Sequence, residues 1–287
     1  MNSPVVSVLM TAYNREPYIA EAIESVLNST FGDFELIIVD DRSKDRTVEI
    51  ARAYAAKDSR IRVYVNEKNL GDYPNRNKAA SYARGKYLKY LDSDDKIEAF
   101  GLAYCIDAME RTPDAALGMI SYHDLGSANP VCLQSETIVR EHFFSRQHLV
   151  IGPTGSIFRR DRFEELGGFD TRFGVASDVF FNTRMAARSP VVLLPQLFFY
   201  YREHEGQEKN NDKGYLRFGY LSFKELMEKG GLPLKKEEID FLSRKLQKRH
   251  AVNLTRYLLK SRDWSGFRQV MRETGFSFSD ILRGYFR

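Results

Sequence analysis

Four short apolar runs in the first 91 residues, alternating with stretches of helical periodicity, limit the folds open to this chain more than any other feature. Residues 5–10, 34–39, 61–65 and 87–91 are rich in Val, Ile, Leu and Tyr and apolar on both faces, as strands sandwiched between helices are. Pro17 opens a helix through about Asn28, with Ile19, Ile23, Val26 and Leu27 on one face. A second helix follows Asp45, which can cap it, and a third covers 72–84 despite Pro74. Strands and helices alternating at this spacing demand right-handed crossovers and a parallel sheet. An eight-fold barrel would need the alternation to continue, and it stops near residue 122. Residues 124–150 read as irregular, 190–201 as a further strand, and the chain beyond Glu205 as charged and helical, with Ile239, Leu242, Leu246 and Leu254 on an amphipathic stretch.

At 287 residues the chain can bury a real core, as one large or two modest domains. Its 43% hydrophobic and 29% charged residues are ordinary for a soluble globular protein, and no run approaches the ~20 apolar residues of a membrane span. The first residues lack the basic start and apolar stretch of a secretory signal. With Cys105 and Cys132 the only cysteines, a reducing cytoplasm is the expected setting. The net charge of +4 is uneven: residues 205–287 carry 18 Lys and Arg against 11 Asp and Glu, whereas the remainder is slightly acidic. Nucleic-acid binding is not expected, because it would need a denser basic stripe with interleaved aromatics.

Asp92-Ser93-Asp94-Asp95 follows the fourth run directly. Three carboxylates within four residues at the end of a buried strand repel one another, and a hard divalent cation, Mg²⁺ or Mn²⁺, relieves them. Open α/β sheets bind ligands at this rim. The plainer alternative is an acidic turn with Asp95 capping a following helix. Asp40 and Asp41 end the second run on the same rim. A carboxylate there can accept the N3–H of uracil, which cytosine lacks, with Thr11 and Tyr13 placed to pack on the base; the alternative is a simple turn at 41–44. Together the two acidic sites describe a nucleoside diphosphate bridged by a metal that neutralises it as a leaving group. No glycine-rich phosphate loop is present to do that work.

These residues resemble family 2 glycosyltransferases, whose GT-A fold binds nucleotide sugars. The stretch from Val6 to Asn14 is similar to the family's first strand and loop, with Thr11 where proline is common. Residues 39–47, Val-Asp-Asp-Arg-Ser-Lys-Asp-Arg-Thr, resemble the VDDGSxDxT signature, with Arg42 in place of glycine. Asn69-Leu70-Gly71 and Arg76-Asn77 resemble the NxGxxxxRN segment, Asp92–Asp95 the metal-binding DxD-type motif, and Gly167-Gly168-Phe169-Asp170 the GGFD element. The resemblance implies a mainly parallel α/β sheet flanked by helices, with a C-terminal helical extension. It implies an inverting transfer from a UDP-sugar to a glycan or lipid-linked acceptor. Carried over residue by residue, Thr11, Tyr13, Asp41, Arg76, Asp92 and Asp94 bind the nucleotide, and Asp94, Asp95 and His204 hold Mn²⁺ or Mg²⁺. Asp178 is the general base, although Ser177 stands where the family has Glu. Without the family, Asp178 reads as a helix cap. Tyr201-Arg202-Glu203-His204 resembles the YRxH segment closing over the site.

The expected organisation is a catalytic domain over 1–204, divided at 122 into nucleotide and acceptor halves, with Pro153-Thr154-Gly155-Ser156 near the acceptor, and a basic helical extension over 205–287. The extension suits peripheral contact with the inner face of a membrane or a homodimer. Two rivals stand beside the transferase: a sugar-phosphate nucleotidyltransferase, which would show a basic glycine-rich loop after the first strand, and a non-catalytic nucleotide-sugar-binding module that has lost its base.

Overall fold

The computed structural model describes residues 3–203 and 212–286. Strand β1 (Val6–Ala12) lies between β2 (Phe34–Asp40) and β4 (Tyr87–Tyr90), with β3 (Ile61–Val65) outside β2, and all four run parallel. Helices α1 (Ile19–Leu27), α2 (Thr47–Ala55) and α3 (Asp72–Ser81) make the crossovers. Ile19, Ala22, Ile23 and Val26, at helical spacing, are the buried face of α1. Pro74 is tolerated because it sits in the first turn of α3, where its missing N–H would have no helical partner.

After β4 the pattern changes. A two-residue strand β5 (Lys96–Ile97) precedes α4 (Gly101–Glu110), so no helix begins at residue 96 for Asp95 to cap. The sheet then grows through β6 (Leu117–Ile120), β7 (Val131–Leu133), β8 (Ser156–Arg159) and β9 (Val191–Leu194) into eight strands ordered β3-β2-β1-β4-β8-β6-β9-β7. Strand β8 enters antiparallel between β4 and β6.

Two expectations are corrected here. Residues 124–150 are not irregular: they carry β7 and helix α5 (Ser135–Phe144), which buries Ile138, Val139 and His142. One buried histidine among so few apolar positions leaves too weak a stripe to read. Residues 190–201 are not one strand, because the chain leaves the large sheet after Leu194, passes Pro195, and forms β10 (Phe199–Tyr200) against β5 in a separate two-stranded sheet.

Helix α6 (Arg160–Glu165) leads to a 3₁₀ turn over Thr171–Ala176 and then α7 (Ser177–Ala186). The extension comprises α8 (Asp212–Lys229), α9 (Lys236–Ser261), α10 (Trp264–Thr274) and α11 (Phe278–Phe286). Tyr220, Ala251, Leu254, Phe267 and Val270 form a small core of its own. Leu226 of α8 packs instead with Phe173, Ala176 and Phe180, fastening the extension to the turn before α7. The expected division at residue 204 falls among residues outside those described, as does His204.

Candidate active site

Parallel pairing puts the carboxyl ends of β1, β2 and β4 side by side. Ala12 is in register with Asp40 and Leu9 with Tyr90. Across the rim the Asp41 amide donates to the Ala12 carbonyl at 2.7 Å, and Ser93 Oγ to the Thr11 carbonyl at 2.7 Å. A cavity of about 690 Å³ opens above this rim. Its walls include Thr11, Tyr13, Asp41, Arg76, Asp92, Asp94 and Asp178, the sequence candidates other than Asp95 and His204.

The acidic knot is compact. Asp92, Asp94 and Asp95 each offer a carboxylate oxygen, all within 4.8 Å of one another. Each carboxylate is differently compensated. Arg76, itself buried, bridges Asp72 (Nε to Oδ1, 2.7 Å) and Asp92 (Nη1 to Oδ1, 2.7 Å). Burial is the largest influence on the Asp92 pKa and works to raise it, but the Arg76 charge, the hydrogen bonds from Arg76 and Thr154 and the Lys89 charge together hold the carboxyl below its ordinary value. Arg15 Nε lies 3.1 Å from Asp94 Oδ2. Asp95, 1% exposed, accepts the Arg202 amide on Oδ1 at 3.0 Å, while its buried Oδ2 meets no donor among the described residues. Burial, then the neighbouring Asp92 charge, push its pKa up to about 7. An orphaned carboxylate oxygen facing two further carboxylates fits a hard cation by charge and by ligand type. Arg202 also donates from Nε to the Asp94 carbonyl at 2.9 Å and from Nη2 to Glu21 at 2.8 Å, so the 201–203 segment lies against the knot.

The two aspartates ending β2 have separate surroundings. Asp40 closes a turn by accepting from the Ser43 amide at 2.8 Å and from the Ser43 hydroxyl. Asp41 accepts from Asn66 Nδ2 and the Leu70 amide on Oδ1 and from the Gly71 amide on Oδ2, each at 2.8 Å. It thereby pins the 69–71 loop, and the residue lines the cavity. Arg42, in the position the family signature gives to glycine, has φ +66°, so the turn keeps its left-handed shape with a side chain that resists it.

Asp178 stands in the first turn of α7 and accepts its neighbour's amide, from Val179, at 2.7 Å. Burial pushes its pKa up to about 6, against the opposing hydrogen bonds from Val179 and the Tyr73 hydroxyl. Ser177, in the place of the family's Glu, turns its hydroxyl inward to the carbonyls of Asp170 (2.8 Å) and Gly174 (2.7 Å). Asn77 explains the reach of two distant motifs: it donates to the Phe169 carbonyl at 2.8 Å and accepts the Phe169 amide at 2.9 Å, holding the 167–170 element beside α3.

Tyr73, Asp72 and Arg15 also line the cavity and escaped the sequence reading. Arg15 was discoverable, directly after the first-strand loop. Lys89 is the other omission. It is fully buried in β4, where its ammonium donates to the Tyr90 carbonyl at 2.7 Å and to the Thr154 carbonyl. Burial lowers its pKa to about 8. Thr154 in turn accepts the Asp92 amide at 3.0 Å, so the 153–155 turn is fixed beneath the knot.

The family model described as glycosyl transferase family 2 matches residues 7–167, more than half of the chain. The chain belongs to this family. An uncharacterized glycosyltransferase of Methanocaldococcus jannaschii is 48% identical over 97 residues, 33% of this chain and 33% of that protein. The putative teichuronic acid biosynthesis glycosyltransferase TuaG of Bacillus subtilis is 45% identical over 93 residues, 32% of this chain and 37% of its own length. The chain thus spans about a third of the length of these curated relatives. S. aureus TarS 1–349 in complex with UDP-GlcNAc superposes with a TM-score of 0.72 at 20% identity, over 94% of this chain and 80% of that one. The mannosyltransferase PcManGT from Pyrobaculum calidifontis, in complex with GDP-Man and Mn²⁺, gives 0.66 at 16% identity, over 100% and 87%. The mainly parallel eight-stranded sheet with flanking helices is the GT-A fold, and the C-terminal helices accompany it as expected. Among the described residues no helix is long and apolar enough to cross a membrane.

Proposed function

We propose that this family 2 glycosyltransferase moves a sugar from a UDP-sugar to an acceptor hydroxyl by a metal-dependent, inverting single displacement. One observation carries the reading: a knot of three carboxylates with an orphaned buried oxygen shares its rim with a half-buried aspartate whose pKa is pushed up to about 6. Asp41 accepts the N3–H of uracil, and Thr11 and Tyr13 pack on the base. Arg76 orients Asp92, which with Asp94 faces the ribose and diphosphate. Mn²⁺ or Mg²⁺ would be held by Asp94 and Asp95 with help from Asp92, and His204 is kept as a candidate ligand. When bound there the cation supplies charge neutralisation for the departing diphosphate.

Asp178 takes the acceptor hydroxyl proton as that oxygen bonds to the anomeric carbon. The bond from that carbon to the diphosphate oxygen breaks on the opposite face, and its electron pair leaves with UDP. Tyr73, hydrogen-bonded to Asp178, orients the carboxylate. The relatives include a putative teichuronic acid glycosyltransferase, which supports a cell-surface glycan or a lipid-linked precursor as acceptor. The basic extension supports peripheral contact with an anionic membrane face.

Calorimetry tests the reading. UDP binding should require Mn²⁺ or Mg²⁺ and be lost in Asp94→Ala; metal-independent binding would remove the cation's role. Slow release of UDP from UDP-sugars, absent in Asp178→Asn, would separate the transferase from a non-catalytic binding module.

A further inference from the structure

A second cavity of about 330 Å³ adjoins the first, and the two share Val175 and Tyr215 as walls. Val175 follows Gly174, whose backbone (φ +44°, ψ −122°) breaks the turn before α7; a Cβ at Gly174 would lie 2.8 Å from the Phe218 ring. The next two residues after Ser177 face different ways. Asp178 lines the polar cavity, whereas Val179 lines the second one.

The second cavity has a different chemistry. Phe143, Val179, Phe223, Met227, Leu242 and Leu246 supply hydrocarbon from α5, α7, α8 and α9. Among the described residues no Asp or Glu lines it, while Lys245 and Arg249, one turn apart on α9, stand exposed at its edge. The Arg249 guanidinium lies 5.6 Å from the Phe223 ring centre. His142 in the wall is buried, and burial lowers its pKa to about 4, so it is neutral there. Apolar side chains remain exposed around the mouth: Val150 and Tyr215 on the lining, and Phe144 stacked on Phe241 beside it. Exposed apolar side chains gathered at a cleft point to an interaction site. Hydrocarbon predominates in these walls, with Gln147 and the neutral His142 among it and the two cations at the edge, which suits an apolar chain with a charged end better than a bare sugar.

We propose that this cleft binds the carrier of the acceptor, a hydrocarbon chain joined through a phosphate or pyrophosphate to the sugar whose hydroxyl reacts. The chain lies against the apolar walls, the phosphate meets Lys245 and Arg249, and the sugar end passes Val175 and Tyr215 to reach Asp178. This assignment rests on the transferase reading, chooses the lipid-linked acceptor over a bare glycan, and adds the place where its carrier binds.

Equilibrium dialysis of the full chain against farnesyl phosphate below its micellar concentration tests it, with UDP plus Mn²⁺ titrated in parallel. Saturable binding is expected, with farnesol about tenfold weaker because it lacks the charge. Leu246→Glu, and separately the exposed-site variant Val150→Glu, should weaken farnesyl phosphate by about tenfold or more and leave UDP unchanged. The double variant Lys245→Ala/Arg249→Ala should lose affinity for farnesyl phosphate but not for farnesol. Normal UDP binding with no farnesyl phosphate binding, or undiminished binding by both glutamate variants, overturns the proposal. A dimer seen by light scattering that Leu246→Glu dissolves, without farnesyl phosphate binding, assigns the cleft to a second copy and also overturns it. Farnesyl phosphate bound without any UDP binding strikes the transferase reading instead, and the acceptor assignment falls with it.

Discussion

Asp95 is where charge crowding is sharpest, and it sets a stability prediction opposed to function. Its folded pKa of about 7 lies above the ordinary carboxylate value, so its ionisation opposes folding. Stability is therefore lost as pH rises from the ordinary carboxylate range toward 7, and the full cost persists above that. Asp95→Asn should stabilise the metal-free protein at pH 8 by on the order of 1–3 kcal/mol, a gain that shrinks toward pH 4, while abolishing the rise in Tm that Mn²⁺ gives the parent. A metal-free variant no more stable than the parent at pH 8 would contradict the crowding argument. Asp178 is the kinetic counterpart. As the proposed base, with its pKa pushed up to about 6, Asp178 must be unprotonated to work, so kcat/KM should fall about tenfold per pH unit below 6 and level off above it. Asp178→Asn should lower kcat by about 10²–10⁴ with UDP affinity unchanged, and should lose the inflection. The knot was legible as a clash of like charges, but the sequence left a capping turn as its alternative until β5 was found where a helix would have to start. Asp178 was legible only through family resemblance, since one aspartate opening a helix looks like any cap, and its pairing with Tyr73 comes from chain folding over a separation of about a hundred residues.

The parallel strands and their crossover helices could be read because each is a continuous apolar run or a clear amphipathic stripe. Helix α5 and the 190–201 segment could not, since the first hides its buried face around a histidine and the second is apolar throughout but divided between two sheets. The turn before α7 belongs with these: nothing local announces that Gly174 is bent so that the helix starts with Asp178 toward one cavity and Val179 toward the other. Gly174→Ala should cost about 1–3 kcal/mol, in part from the left-handed backbone and in part from the close approach to Phe218. Adding Phe218→Leu should recover the steric part alone. Chemical denaturation of the two variants measures both terms, and a Gly174→Ala protein as stable as the parent would show that the turn can relax without cost.

The extension gives the molecule a third body of contacts, with its own small core and Leu226 wedged against the turn that carries Asp178. Its outer side is less finished. Trp264 stacks on Phe267 at 5.2 Å, and Phe267 lies 6.2 Å from Phe278. Leu282, one helical turn beyond Phe278, is 61% exposed, and the Arg268 guanidinium stands 5.6 Å from the Trp264 ring. Aromatic and aliphatic side chains rimmed by arginine, on the part of the chain with the excess of Lys and Arg, match the boundary of an anionic bilayer in both polarity and charge. Co-sedimentation with phosphatidylglycerol vesicles should exceed that with phosphatidylcholine vesicles and weaken steeply with salt, because screening removes the charge contribution. Trp264→Ser combined with Phe278→Ser should reduce the remaining high-salt binding by about tenfold, since that part depends on buried apolar area. If neutral and anionic vesicles bound equally, the basic residues would have no part in docking. If instead the variant dissolved a dimer detected by light scattering and left vesicle binding intact, the aromatic face would belong to a second copy of the chain.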